Sequence, residues 1–477
     1  MNYEIVIGLE VHTELSTKRK IFCNCTTQFG GEPNTHVCEI CSGMPGTLPV
    51  LNRRVVEYAI RTGIATNCDI TENNKFDRKN YFYPDLPKAY QISQLYFPIC
   101  RNGHINITGQ DGEEKQVRIH EIHMEEDAGK LIHDDWEDCT LVDYNRCGVP
   151  LLEIVSEPDM RSAEEVIDYL SKLRSILQYT GVSDCKMQEG SLRADVNLSV
   201  REKGAKEFGT RTEMKNMNSF KAIARAIEYE AQRQIDIIED GGKVVQETRR
   251  WDDANGESYA MRSKEDAQDY KYFPEPDLPP IKIDKEWIES VRNNLPELKD
   301  AKKKRYIEEL GLPEYDTGLI TDSIYLVRLF EKTSDICKKP KIAANWILGE
   351  LLMRLNESGK TAEDIDFDEN SLGKIIVMVE EGKISRDTGK KVFKKVFEEN
   401  VDPEKYVKDN NLGLVSDTAT LKPIIEEVIA QNEKSVNEYK GGKQQALQYL
   451  IGQCMRALRG KAPAQEVQKI LKELLDS

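Results

Sequence analysis

"GSLRADVNLSV", residues 190–200, alternates apolar and polar side chains almost without a break. Leu192, Ala194, Val196, Leu198 and Val200 share one parity; Ser191, Arg193, Asp195, Asn197 and Ser199 share the other. A period of two marks a β-strand that packs on a core by one face. Its other face presents a hydroxyl, a guanidinium, a carboxylate and an amide, either to water, as in most antiparallel sheets, or to a ligand. "YEIVIGLEVHTEL" (3–15) repeats the pattern, with Gly8, Glu10, His12 and Glu14 on the polar side. Glu-x-His-x-Glu on one strand face aims two carboxylates and an imidazole in one direction, although a solvated hairpin would read the same way.

Working outward, strand-like alternation recurs near 115–126, 149–156 and 208–217. A helix is predicted from a capping box of Ser162 and Glu165 through an apolar stripe that ends at Gly181. A second runs from Ser219 to Gly241-Gly242, and Asn255-Gly256 reads as a hairpin turn. After "PEPDLPPIKID" (274–284) the strand signals fade and helical periodicity takes over, with a further change of character near 409–417. The expected class is α+β: a mixed body over 1–292, a helical domain over 293–410 and a small helical tail over 411–477.

With 39% hydrophobic and 31% charged residues, the chain reads as soluble and cytoplasmic, and no membrane span is expected. A formal charge of −16 argues against a general nucleic-acid coat but leaves room for a local basic site. One such site is the tail, where eight Lys/Arg stand against four acids from Lys434 to the end; RNA phosphate contact and a solvated helical face are both open readings. Four of the eleven cysteines, Cys23, Cys25, Cys38 and Cys41, form two short hooks around a Gly/Pro-containing loop. Four thiolates suit tetrahedral zinc in a structural role; four reduced thiols are the alternative.

Glu153, inside the apolar run "VPLLEIVSEPD" (149–159), is the sharpest chemical signal. A buried carboxylate must be paired, protonated or metal-bound. With the acids of "EIHMEEDAGK" (121–130) and at most one His, the donor set suits Mg²⁺ rather than zinc. "GTRTEMKNMNSF" (209–220) adds Arg211, Glu213 and Lys215 on one strand parity. Carboxylates beside Arg and Lys are what phosphoryl transfer requires. A P-loop is excluded, since Arg354 stands where the first glycine before "SGKT" (358–361) belongs. "DRKNYFYPDLPKAYQISQ" (77–94) has no period and reads as a functional loop.

Taken together, "IGLEVHTEL", "KFDRKNYFYPDLPKAYQISQ", "HMEEDAGK", "PLLEIVSEPD", "QEGSLRADVNLSV", "GTRTEMKNMNSF" and "YKYFPEPDLPP" closely resemble the family of B subunits of the glutamine-dependent aspartyl/glutamyl-tRNA amidotransferases. The resemblance implies a glutamine-synthetase-like cradle, a helical domain and a tail that touches tRNA. It implies an ATP-dependent carbon–nitrogen ligase that converts Glu-tRNA(Gln) or Asp-tRNA(Asn) to the amide. Ammonia would come from a partner amidase (A) subunit, with a small bridging (C) subunit completing a heterotrimer.

Carried over residue by residue, His12, Glu126 and Glu153, with Glu10 adjacent, resemble the family's Mg²⁺ ligands. By charge and parity, Arg193, Asp195, Arg211 and Lys215 are expected catalytic side chains, and the resemblance adds Lys79 from the 79–88 loop. Tyr81, Tyr83, Lys88, Ser191 and Asn197 are expected to line the pocket for nucleotide and aminoacyl end. A small-metabolite ligase and a non-enzymatic tRNA-binding scaffold remain the competing readings.

Overall fold

The computed structural model describes residues 2–109, 111–134, 136–263, 270–414, 418–458 and 462–476. These fall into two compact units, residues 1–298 and 299–477.

The first unit is built on a nine-stranded sheet. Its strands are β1 (Tyr3–Glu14), β2 (Asp69–Ile70), β3 (Cys100–Thr108), β4 (Glu114–Glu126), β5 (Pro150–Ser156), β6 (Leu192–Glu202), β7 (Thr212–Lys215), β8 (Glu247–Asp252) and β9 (Glu257–Ser263). Across the sheet the order is β9-β8-β7-β6-β1-β5-β4-β3-β2, antiparallel except for the β7–β8 pair. The first strand of the chain is therefore the central one, paired with β5 on one side and β6 on the other.

Its alternation explains the layering. Ile7, Leu9 and Val11 are fully buried, as are Val196 and Leu198 of β6 and Leu152 and Ile154 of β5. Three helices cover this apolar face: α1 (Arg53–Ala65), α2 (Ala163–Tyr179) and α3 (Phe220–Glu239). Each begins at a side chain that accepts a backbone N–H of the first turn: Asn52, Ser162 and Ser219, respectively. The opposite face, which carries the polar residues of β1 and β6, has no helical layer among the described residues of this unit.

Several local expectations are corrected. The capping box of α2 is half made: Ser162 accepts from the Glu165 N–H, but the Glu165 carboxylate turns to the Arg161 N–H and to Lys115. The strand expected over 208–217 is limited to Thr212–Lys215. Gly209 lies so close to the Val200 carbonyl that a Cβ would sit 2.0 Å from its oxygen, and Asn216 leaves the strand in the left-handed region at φ 71°. The hairpin expected at Asn255-Gly256 is present between β8 and β9, its four-residue loop closed by the Gly256 N–H on the Asp252 carbonyl, with the Asp252 carboxylate accepting from Ala254 and Asn255. The segment 77–94 is not all loop, because Asp77–Asn80 and Tyr90–Ser93 pair antiparallel and Phe273–Pro274 joins them.

Among the described residues of the second unit, every regular element is helical. "SGKT" closes a helix there, with Gly359 in the left-handed cap at φ 65°, the reverse of a phosphate loop that opens one. Its last four helices, Thr418–Gln431, Glu433–Lys440, Gln444–Ala457 and Ala464–Asp476, enclose a core of their own around Leu421, Ile425, Leu450, Ile470 and Leu471. Of the basic tail residues, Arg459 and Lys461 lie outside the described residues.

Ile154→Ala, at a fully buried position of β5, should cost about 2–5 kcal/mol of stability. Ile132→Ala, on the exposed hairpin strand Lys130–Asp134, should cost less than about 0.5 kcal/mol. Urea unfolding followed by circular dichroism separates the two, and equal costs would contradict the layering.

Candidate active site

Strand register assembles the site. Arg193 pairs across from His12, His12 from Glu153, and Glu153 from His123. Four side chains from β6, β1, β5 and β4 thus stand in one row on the polar face. The neighbouring row toward the start of β1 holds Asp195 and Glu10; the row on the other side holds Glu14 and Glu125, both across from Leu151.

Within the first row, His12 Nε2 lies 3.3 Å from Glu153 Oε2 and 3.7 Å from Glu125 Oε1. His123 Nε2 lies 3.0 Å from the same Glu153 oxygen, and its Nδ1 is 3.5 Å from Glu121. One ligand atom each from His12, Glu125 and Glu153 lie within 4.8 Å of one another, as do one each from Glu10, Asp195 and Glu213. In the second group the Lys215 ammonium sits between Asp195 and Glu213, and the Asn197 amide donates to Glu10 at 2.9 Å.

The electrostatics follow from this crowding. Burial works to raise the Glu153 carboxyl, but the charge of His123 and the hydrogen bonds from both imidazoles hold it well below the ordinary range. Burial works to lower His123, yet the charge of Glu153 and the Glu121 contact push it up to about 10. His12 is raised against its own burial by its hydrogen bond to Glu153 and by the charges of Glu153 and Glu125. Glu14, buried beside Asp127, is pushed up to about 8, whereas Asp127 is held down against its own burial by Arg193 and Arg146. Arg193 donates to Asp127 at 2.7 Å.

Over these rows lies a cavity of about 630 Å³, on which His12, Lys79, Tyr81, Arg193, Asp195 and Lys215 all open. Lys79 stands over the Tyr81 and Tyr270 rings, 5.8 and 5.0 Å from their centroids. Six of the residues expected from the sequence are thus brought together, with Glu153 behind His12 and Glu10 one row along.

The others lie elsewhere. Glu126 follows Glu125 on the strand and so faces the opposite side of the sheet, where it accepts from Lys88 and from the Ile92 N–H. Glu125 occupies the position expected of Glu126, and Lys88 goes with Glu126 to the far side. The Ser191 hydroxyl is consumed in a turn, donating to Asp184 and accepting from the Lys186 N–H. Tyr83 is exposed. Asn197 and Arg211 border a separate, smaller cavity farther along the polar face.

Sequence reasoning preferred Glu126 to its neighbour Glu125 and did not single out His123 or Arg250. Glu125 and His123 share the parity of Glu121, a signal that becomes decisive only once the β4–β5 register is known. Arg250 enters the cavity through the parallel β7–β8 pairing, for which no local pattern exists.

The cysteine hooks close on themselves: one sulfur from each of Cys23, Cys25, Cys38 and Cys41 lie within 4.8 Å of one another. Hydrogen bonding from Cys23, the Cys38 N–H and the nearby Lys20 ammonium bring Cys41 down to about 4, while Cys23 is raised by its bond to Cys41. Lys20 is fully buried, 3.5 Å from the Cys41 sulfur and 2.7 Å from the His36 carbonyl oxygen. Cys23 and Cys41 form one wall of the cavity that holds Lys88 and Glu126.

With this geometry in hand, the likeness to known proteins is extensive. A family model described as the GatB/GatE catalytic domain matches residues 5–289, and one described as the GatB domain matches 328–475. The chain is 63% identical over 473 residues to the B subunit of the aspartyl/glutamyl-tRNA(Asn/Gln) amidotransferase of Lachnoclostridium phytofermentans, covering 99% of both. It is 61% identical to the protein of the same name from Lachnospira eligens, again over 99% of both, and 58% identical to that of Caldicellulosiruptor saccharolyticus over the full length of both.

His123 stands at about 10 in the folded chain, against about 6.5 in an unfolded one. Its contribution to stability is therefore complete below pH ~6.5 and disappears as pH rises through about 10. Thermal unfolding of the metal-free protein should show Tm falling over that window, with a shallower fall in His123→Gln. Parallel profiles would mean that the imidazole is neutral in the folded state.

Proposed function

The chain belongs to the family of B subunits of the aspartyl/glutamyl-tRNA(Asn/Gln) amidotransferases, and we propose that its polar sheet face converts Glu on tRNA(Gln), Asp on tRNA(Asn), or both, to the amide at the expense of ATP. A side-chain carboxylate resists ammonia because neither oxygen can leave. Transfer of the γ-phosphoryl group to one carboxylate oxygen, with release of ADP, makes that oxygen a leaving group. Ammonia then attacks the acyl carbon, phosphate departs, and loss of a proton from the incoming nitrogen leaves the amide.

What supports this reading is the mixture of charges on one face. Phosphoryl transfer spreads negative charge over several oxygens, which must be met from several sides. Lys79 and Arg250 border the cavity without an ion pair among the described residues, so both are available to phosphate oxygens. Arg193 and Lys215 are already held by Asp127 and by Asp195 with Glu213, respectively. Such pairing fixes their orientation, the requirement for preorganised stabilisation.

His12, Glu125 and Glu153 supply one imidazole and two carboxylates, a donor set that fits Mg²⁺. A bound Mg²⁺ would neutralise phosphate charge at that point. Because an imidazole must be neutral to act as a ligand, and His12 is raised in the metal-free chain, metal binding should strengthen with pH.

Four cysteine sulfurs with a buried ammonium beside them fit structural zinc, the lysine offsetting part of the net negative charge of a tetrathiolate site. Ammonia is supplied by a partner amidase subunit, a small third subunit joins the two, and the basic tail contacts tRNA in the cytoplasm.

Two tests apply. In the assembled complex, Glu153→Gln should lower Glu-tRNA(Gln)-stimulated phosphate release from ATP by about 10²-fold or more, with tRNA binding and glutamine hydrolysis retained. Near-normal release would make Glu153 a structural carboxylate. Elemental analysis of the purified protein should find one zinc per chain, and chelation or Cys41→Ser should lower Tm. A zinc-free preparation that matches the holoprotein in Tm would leave the cysteines as plain thiols.

A further inference from the structure

β8 carries two arginines in succession, and they go to opposite sides of the sheet. Arg250 opens on the large cavity beside Lys215, its partner in the parallel register. Arg249 is buried on the helical side. There it donates from Nε to the Ser258 hydroxyl at 2.8 Å and from Nη2 to the Ser258 carbonyl oxygen at 2.6 Å, and it pairs with Glu247. Its Nε also lies 3.4 Å from a carboxylate of α3, that of Glu230.

Glu230 is fully buried and belongs neither to the cavity lining nor to the metal-ligand groups. Its carboxylate accepts from Arg233 of the same helix at 2.7 and 2.8 Å and from the Gln234 amide at 3.0 Å. It also accepts from the Thr212 hydroxyl of β7 at 2.9 Å. Burial works to raise this carboxyl, but hydrogen bonds from Arg233 and Gln234 and the Arg233 charge hold it below the ordinary range. One anion thereby ties α3 to β7 through Thr212 and to β8 through Arg249.

These two strands need a tie. They are joined in parallel over Glu213–Thr248, Met214–Arg249 and Lys215–Arg250, and a parallel ladder is slightly weaker per residue than an antiparallel one. On its other side β8 is irregular, its register with β9 shifting between Thr248 and Arg249. Trp251, buried with its ring centroid 5.9 Å from that of Tyr229, sets the parity of the strand. Apolar burial has no direction, however, and leaves the strand's exact seat open; charge-assisted hydrogen bonds define it. Lys215 has a clamp of its own in Asp195 and Glu213. Arg250 has no ion pair among the described residues, so its placement comes from its strand.

We infer that Glu230 is a positioning residue for phosphoryl transfer: by holding Arg249 on the helical side and Thr212 beside it, it seats β8 against β7 and so fixes where Arg250 enters the cavity. This role rests on the reading above, in which Arg250 meets phosphate oxygens, and carries that reading one layer inward. A misplacement of about 1 Å at such a group can cost about 10²-fold in rate. The buried anion therefore acts on the reaction without touching substrate, through the backbone of a single short strand.

The test uses the assembled complex with ATP, Mg²⁺ and Glu-tRNA(Gln), and glutamine hydrolysis by the partner amidase subunit reports that assembly is intact. Glu230→Gln, which keeps the shape and removes the charge, should lower kcat for phosphate release by about tenfold or more. Its KM for ATP should stay within a factor of about two of wild type, the pattern of an interaction made in the transition state. Arg249→Lys keeps a cation on the helical side but loses the paired bonds to Ser258. It should lower kcat in the same direction, and it carries the test if Glu230→Gln fails to assemble. Arg250→Ala should also lower kcat, and adding Glu230→Gln to it should change kcat by less than about twofold, because both act through one side chain. Wild-type kcat in Glu230→Gln or Arg249→Lys, or losses that multiply in the double variant, overturns the positioning role and leaves Arg250 in the site. Wild-type phosphate release in Arg250→Ala overturns the phosphate role of that arginine, and the positioning role with it.

Discussion

Glu153 stands in the middle of an apolar strand with an imidazole on either side, His12 at 3.3 Å and His123 at 3.0 Å. Left unpaired, a carboxylate so enclosed would cost several kcal/mol, about what a whole domain can spare. The imidazoles remove that cost, and they can do so because three neighbouring strands deliver all three side chains to one row. The backbone ladder that makes the sheet therefore also makes the charge cluster. No loop has to close for the cluster to exist, which is the condition for a rigid centre around which looser rims can be arranged.

The division of labour between faces follows from the same strands. Ile7, Leu9 and Val11 bind β1 to the helical layer, while Glu10, His12 and Glu14, interleaved with them, stand on the polar face, His12 in the cavity floor. Core and site are thus a single covalent pattern with period two. Segments that do lack this double duty, such as 77–94 and 208–211, supply the walls, where aromatic rings and single cations are carried on short strands and turns. The clustering of the four cysteine sulfurs is independent of this floor, since it depends on two short turns that meet beside Lys20.

How much of this was legible beforehand divides along physical lines. Alternation alone identified β1 and β6 and their polar faces, and caps and glycines located α2 and α3, because these signals are local. The α+β class and the family likewise agreed with what the motifs implied. The identity of the carboxylate beside His12 was not legible: Glu125 and Glu126 are adjacent, and only the pairing of β4 with β5 selects between them. Lys88 followed Glu126 to the far side for that reason. Ser191 looked available because a hydroxyl's hydrogen-bond partners, here Asp184 and Lys186, are invisible in a strand pattern. Arg250 depended on a parallel pairing between segments about 35 residues apart, which periodicity cannot encode.

The neighbours Glu125 and Glu126 bear on how relatives of this chain are compared. Two identical residues, one peptide bond apart, serve opposite sides of a sheet: one beside two imidazoles, the other beside a lysine and the cysteine wall. An alignment that slips by one position through "MEEDAG" loses almost nothing in identity, yet it exchanges the carboxylate beside His12 for the one on the opposite face of the sheet. Transfer of residue roles between homologues therefore needs the strand register as its reference at this point, with the row through His12 and Glu153 as the fixed mark.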